Sequence, residues 1–425
     1  MNSIRTLLDR FSSGAEDARL LELYRSESQL EYQRNRYQQA LQRFLALFGD
    51  QPVELYSAPG RTEIGGNHTD HQQGRVLAAS INLDAIAVVS PLEGQVRLVS
   101  EGMEEIQLDL EDLTYREEEK ETTLSLVKGV LAQLKTGGAT IGGFTAYVTS
   151  DVLVGAGLSS SAAFETLIGT IVSGLYNQMQ ISPVEIAMVG QQAENLYFGK
   201  PCGLMDQMAS SVGNLVAIDF AQPGEPVIQQ VSCDLDALGY SLCITDTKGS
   251  HADLTAEYAA VPQEMRAVAE QMGQPVLRGI TLEQLLEQAP AIRTQLGDRA
   301  LLRALHFVQE NDRVAHQVEA LEQQDFQRFL HLVEQSGASS FQYLQNVYTN
   351  QDVQHQNVSI ALAVSQAVLG DDGVCRVHGG GFAGTIQAYV RHRAVPRYQQ
   401  AMEHLFGAGS CHLLHIRPFG GVKVV

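Results

Sequence analysis

Basic residues are scarce in this chain: 29 lysines and arginines stand against 49 aspartates and glutamates, for a net charge of −20. Phosphate backbones need concentrated Lys and Arg, so the scarcity excludes a nucleic-acid partner, although one local electropositive pocket would suffice for a free nucleotide. Cysteine is also sparse. Cys202, Cys233, Cys243, Cys375 and Cys411 are odd in number and scattered, with no Cys-x-x-Cys pair for zinc or redox work, and they read as reduced thiols. No run of about eighteen apolar residues occurs, and the first ten residues lack the apolar core of a signal peptide. A cytoplasmic protein with no membrane partner is therefore expected. There is no internal repeat and no low-complexity tract. Instead, 425 residues at 44% hydrophobic content describe a globular chain long enough for two domains of ordinary size.

The stretch that organises the chain is Gly155-Ala156-Gly157-Leu158-Ser159-Ser160-Ser161. From Phe164 the apolar residues Leu167, Ile168, Ile171, Val172 and Leu175 follow the spacing of a helix with one buried face. The small-residue loop thus opens a helix, where unpaired N–H groups and the helix dipole stabilise a phosphate. Packing alone is the other reading of such a loop. It is not a Walker loop: the Gly-Lys-Ser/Thr ending is missing and no lysine lies nearby in the sequence. Phosphate charge would fall to backbone dipoles, hydroxyls and a metal ion.

In chain order, residues 1–48 read as helices forming a packing arm. A strand over Val53–Tyr56 is expected to lead into a turn at Ala58-Pro59-Gly60-Arg61, followed by one or two buried strands over Val76–Val89. Phe144–Val148 is a strand feeding the Gly155 loop, and a helix from Pro183 to about Tyr197 ends at Pro201-Cys202-Gly203-Leu204-Met205-Asp206-Gln207. Ala221-Gln222-Pro223-Gly224-Glu225-Pro226 reads as a linker, dividing the chain into 1–222, with its N-terminal helical arm, and 223–425. The second half is mainly helical to Leu369. It closes on the glycine-rich His378–Gly384 segment, the alternating strand Thr385–Val390, a helix from Pro396 and a last strand near Ile416.

Arg61, Glu63, Asn67, His68, Asp70 and His71 concentrate hydrogen-bonding groups within eleven residues, which suits recognition of a hydroxyl-rich small molecule; a solvated turn is the bland alternative. A histidine metal site at His68-x-Asp70-His71 lacks the further ligands that would close a shell. Asp206, taken alone, reads as a helix cap, and Glu194 as a solvated helix residue. Taken with Ser161, Glu194 supplies the kind of oxygen ligand that a magnesium–nucleotide complex uses.

In combination, these residues resemble the GHMP sugar kinases, and within them the galactokinase branch. Ala58-Pro59-Gly60-Arg61 through Gly66-x-His68-Thr69-Asp70 is similar to that branch's signature; Gly155–Ala163, Pro201–Gln207 and Gly379-Gly380-Gly381-Phe382 match three further motifs in order, from about Phe44 to the C-terminus. The resemblance implies an α+β fold of two domains, mixed sheets packed by helices, with the active site in the cleft between them. It implies an ATP-dependent sugar 1-kinase with Mg2+, whose partner is a small-molecule sugar, in a monomer or weak homo-oligomer. Asp206 and Arg61 would be the catalytic pair. Residues 155–161 would wrap the ATP phosphates, Ser161 and Glu194 would bind magnesium, and Asn67, His68, Asp70, Gly203 and Tyr258 would meet the sugar.

Three departures bear on the sugar. Asn67 stands where galactokinases carry a sugar-contacting glutamate, Glu63 stands in place of an asparagine, and His71 replaces a tyrosine. Galactose is the first expectation, with a related hexose or amino sugar as the same-class alternative. A catalytically silent sugar and ATP sensor is the alternative from another class; the retained serines, Arg61 and Asp206 argue for the enzyme.

Overall fold

The computed structural model describes residues 1–153, 155, 157–222, 224–249 and 254–425. Its strands, in chain order, are β1 (Glu54–Gly65), β2 (Arg75–Leu92), β3 (Gln95–Ser100), β4 (Glu105–Asp109), β5 (Gly143–Ser150) and β6 (Leu215–Asp219). They continue as β7 (Val227–Val231), β8 (Tyr240–Asp246), β9 (Gly373–His378), β10 (Thr385–Arg391), β11 (Cys411–Leu414) and β12 (Val422–Lys423). One sheet runs β12-β1-β2-β5-β3-β4, with β6 paired to β2 and β7 to β6; the other runs β11-β8-β10-β9. All the pairings are antiparallel except β3 with β5. Helices cover both sheets, giving the mixed α+β class expected.

Strand alternation assigns the two faces of the first sheet. Leu55, Ile86, Val88 and Tyr147 point to one side and meet Phe11, Leu23, Tyr37, Leu41 and Phe44 of the N-terminal helices Ile4–Ser12, Asp17–Tyr24 and Leu30–Phe48. Tyr56, Ala58, Ala87 and Val89 point to the other side, against the helices Thr123–Thr136 and Ser160–Asn177. The arm is therefore the outer cover of the sheet. It is pinned by buried Asp84, which receives Arg36, Arg417 and the Tyr24 hydroxyl. A further core joins the sheets, with Ile64, Leu77 and Ile81 packed among Leu242, Ile244 and Tyr389.

Two expectations are corrected. Pro59 and Gly60 do not make a turn: β1 continues through them, with its register against β2 shifting between Pro59 and Arg61. Such an irregularity tolerates the missing proline N–H and re-aims the side chain beyond it. Gly60 is required by contact, because a Cβ there would lie 2.7 Å from the Leu158 carbonyl oxygen. Nor is the 221–226 segment, whose Pro223 lies outside the described residues, a passage between domains. It links β6 to β7, two antiparallel neighbours in the first sheet; the chain crosses to the second sheet between Val231 and Tyr240, and β12 returns to the first. Turn-rich composition marks a reversal and does not distinguish a hairpin from a linker. Among the described residues no helix is long and apolar enough to cross a membrane.

Candidate active site

The glycine loop ends where its sequence predicts, at the N-terminus of Ser160–Asn177. Gly155, Gly157 and Ser159 all have positive φ (78°, 66° and 58°), the left-handed backbone that turns successive amides toward one side. Ala156 lies outside the described residues. The loop is fastened to the β1 irregularity: the Arg61 amide donates to the Leu158 carbonyl at 3.0 Å, and its guanidinium donates to the Gly157 carbonyl. Arg61 Nε also donates to Asp206 Oδ1 at 2.8 Å, and the Ser159 hydroxyl donates to Asp206 Oδ2. Sequence reading assigned Ser159 to phosphate alone; in the fold it also orients the carboxylate. Burial would raise the Asp206 pKa, but the Arg61 charge and hydrogen bond, with Ser159, outweigh it and hold the carboxyl below its ordinary range.

Asp206 stands in the first turn of Met205–Val212, where the helix dipole favours a carboxylate. Beside it, the helix Pro183–Ala193 opens into a wider π turn over Glu194–Phe198, turning Glu194 inward. Glu194 is buried, with Oε2 taking the Gln207 amide at 2.8 Å and Oε1 facing Ser161 Oγ at 3.3 Å. The same Gln207 amide nitrogen donates to buried Glu165 at 3.0 Å. Burial, then the Glu194 charge, pushes the Glu165 pKa well up. A hydroxyl and a carboxylate oxygen fit magnesium, which keeps waters and takes its remaining oxygens from phosphates. Among the described residues no group of three or more His, Cys, Asp or Glu could hold a metal.

One finding reverses the sequence reading. No lysine lies near the loop in sequence, yet the fold brings Lys200 Nζ to 3.3 Å from Glu194 Oε1.

The first and third motifs meet on the other wall. His68 adopts φ of 58° and donates Nε2–H to the Gly380 carbonyl at 3.0 Å; burial and the nearby His71 lower its pKa to about 4, so it is neutral. Asp70 lies against Gly203, where a Cβ would come within 2.4 Å of its carboxylate. That contact explains the glycine. Tyr258, on the helix Thr255–Gln271, donates to the Gly381 carbonyl at 2.7 Å and lies edge-on to Phe382.

Asn67 is 1% exposed, and both its amide atoms are engaged by protein. Its nitrogen donates to Glu63 at 3.1 Å and to the Gly379 carbonyl at 2.7 Å, while its oxygen accepts from Asn346 at 2.7 Å. Glu63, displaced from the family pattern together with Asn67, is paired with buried Arg376 at 2.7 Å. Two groups that sequence reading missed hold the turn from the helix Asp298–Glu322. Glu310 accepts the Gly66 amide, and His306 donates Nε2–H to the Asn67 carbonyl.

Comparison with known proteins follows the same map. Residues 42–91 match the model of the galactokinase galactose-binding signature, and residues 125–214 that of the GHMP kinases N-terminal domain. Both matches fall on motifs by which the chain resembles the GHMP kinases. Among solved structures it is similar to a Lactococcus lactis galactokinase complexed with galactose, at 25% identity and a TM-score of 0.77, over 90% of this chain and 98% of that one. The Methanococcus jannaschii mevalonate kinase (13% identity, TM-score 0.61, 86% and 98% covered) shares the fold. So does an L. major mevalonate kinase in complex with R-mevalonate (15%, 0.57, 87% and 96%). The galactose-binding match covers β1 and the turn carrying His68 and Asp70. The GHMP match covers the loop helix, Glu194 and Asp206.

Proposed function

We propose that this chain is a GHMP kinase that transfers the γ-phosphoryl group of ATP to the anomeric hydroxyl of a hexose, galactose first, giving the sugar 1-phosphate and ADP. The observation that carries this reading is the closed chain of contacts from the glycine loop through Arg61 and Ser159 to Asp206. It joins the expected phosphate side to the expected sugar side at one carboxylate. All the groups whose loss would favour a silent sensor are retained and converge there.

Phosphoryl transfer calls for positioning and charge neutralisation more than for covalent chemistry. The loop amides would bind the phosphates, and Arg61 is placed to balance charge developing beside Asp206. With its pKa held low, Asp206 is ionised throughout the neutral range. It is a weak base, and its main contribution is to accept a hydrogen bond from the attacking hydroxyl and orient it, taking the proton late. Ser161 and Glu194 would hold magnesium, which supplies charge neutralisation at the phosphate oxygens. His68 and Asp70 would meet sugar hydroxyls. Asn67, closed off by protein contacts, supports that turn from behind, a change from the contact role that the family pattern implies.

The test is ADP release with Mg–ATP against galactose, glucose, talose, galactosamine, N-acetylgalactosamine and arabinose. Galactose-dependent release is expected, and Asp206→Ala should lower turnover about a thousandfold with the fold intact by circular dichroism. Turnover with another sugar alone would reassign the substrate to the same-class alternative. ATP binding without release for any sugar would favour the sensor, and near-normal activity of Asp206→Ala would remove that residue from the mechanism.

A further inference from the structure

The π turn that presents Glu194 also folds the chain back over it. The amides of Gly199 and Lys200 both donate to the Glu194 carbonyl, at 3.0 and 3.1 Å, and Gly199 makes the reversal at φ of 84°. Lys200 is thereby anchored through its backbone to the residue whose carboxylate its ammonium meets, Nζ to Oε1 at 3.3 Å. That oxygen is also the one facing Ser161, whereas Oε2 is occupied by Gln207. The one carboxylate oxygen left for a metal thus carries an ammonium.

An exposed lysine on a carboxylate is ordinarily a weak surface pair. Here the pair is lopsided: the Glu194 side chain is 3% exposed and the Lys200 side chain 64%. The carboxylate is fixed, and the cation sits on a flexible four-carbon stem, a compact charge suited to changing partners. Burial would lower the Lys200 pKa, but the charges of Glu194 and Asp206 raise it overall, so the group is cationic.

We propose that Lys200 is the stand-in counter-ion of the metal position: it neutralises Glu194 until a divalent cation arrives, yields that oxygen to it, and then contacts the phosphate chain of the nucleotide. The proposal rests on the phosphotransferase reading. A dication and an ammonium on one oxygen repel each other, and an incoming polyphosphate offers the displaced ammonium charge-assisted acceptors.

The experiment uses the full chain with Lys200→Met and Lys200→Arg, each confirmed as folded by circular dichroism. Mn2+ alone, followed by the EPR signal of the free ion, should bind Lys200→Met about tenfold more tightly, since the competitor is gone. Mg–ATP, followed by calorimetry, should bind it about tenfold more weakly, the loss of one charge-assisted contact. Galactose affinity should not move, and Lys200→Arg should restore Mg–ATP binding. Opposite shifts for metal and nucleotide separate an exchanging counter-ion from a structural lysine. Equal affinities for both probes, or shifts in the same direction, would overturn the proposal while sugar-dependent ADP release by the unaltered protein left the kinase reading standing. An unaltered protein that bound neither Mn2+ nor Mg–ATP would overturn both.

Discussion

The two walls of the cleft are built on different principles. The wall from β1 and the 66–74 turn is held from behind by buried groups from distant segments: Glu63 with Arg376, Asn67 with Asn346 and Gly379, Glu310 at the Gly66 amide and His306 at the Asn67 carbonyl. The wall from the glycine loop has exposed glycines at 155 and 157, half-buried serines and a mostly exposed lysine. The first is over-determined, as a site must be if it distinguishes sugars by individual hydroxyl contacts. The second has contacts that charge can rearrange, which suits polyphosphate and metal that arrive and leave in each cycle. Rigidity and exchangeability are divided between the walls, and Arg61 and Asp206 sit where they join.

The comparison breaks first at its most rigid point. Glu63→Ala leaves the Arg376 guanidinium buried without its counter-charge, and arginine cannot shed a proton to escape, so a loss of about 3–5 kcal/mol of stability is expected. Arg376→Met leaves a buried carboxyl instead. Burial already pushes the Glu63 pKa up, and protonation gives that residue an exit. Arg376→Met should therefore cost less than Glu63→Ala, and less still at lower pH. Urea denaturation of both variants at two pH values checks the order; equal costs would mean that the pair contributes no more than its volume.

On the exchangeable wall, Ser161→Ala removes one of the two oxygens expected for the metal. Half-saturating magnesium at fixed ATP should rise about tenfold, with turnover at saturating metal largely kept and melting temperature unchanged, since the missing ligand is replaceable by water. An unchanged magnesium requirement would remove Ser161 from the ligand set.

What sequence could disclose follows the same division. The glycine loop and the turn carrying His68 and Asp70 stood out as local patterns of residue types at short spacing, whereas Asp206 and Glu194, which taken alone read as a cap and a solvated residue, were singled out by the resemblance of their motifs. Richness in Val, Ile and Ala disclosed β2 and alternation disclosed β10, and the Asn67 and Glu63 departures were visible as separate substitutions. That the two side chains are bonded to each other was not legible. Nor were Arg376, His306 and Glu310, which act across more than two hundred residues of chain, although charged groups among the apolar positions of Asp298–Glu322 were a signal that its buried face does more than pack. Lys200 was missed for the opposite reason: it is close to Glu194 in sequence, but the π turn that folds it back has no pattern of its own. Pro59-Gly60 and 221–226 misled because proline and glycine mark a departure from regular backbone without saying whether the strand ends there.

The mildest test of the rigid wall is pH. His68, His306 and His378 are all pushed below the ordinary histidine value, in each case chiefly by burial. For His378 the tautomer is fixed as well: Nε2 accepts the Glu63 amide, so Nδ1 carries the proton toward Thr385. A histidine with a depressed folded pKa leaves the unfolded chain binding the extra proton. Stability is then full above about pH 6.5 and falls as pH drops toward 4, by up to about 1.4 kcal/mol per pH unit for each imidazole. Glu63 and Glu165, whose pKa values are raised, act with the opposite sign above their ordinary 4.5, so the net slope is smaller than the three histidines alone would give. NMR titration resolves the terms, since His68 should titrate near pH 4. A His68 that protonated near 6.5 would mean that water reaches the turn, and the wall would then be no more rigid than the phosphate loop opposite.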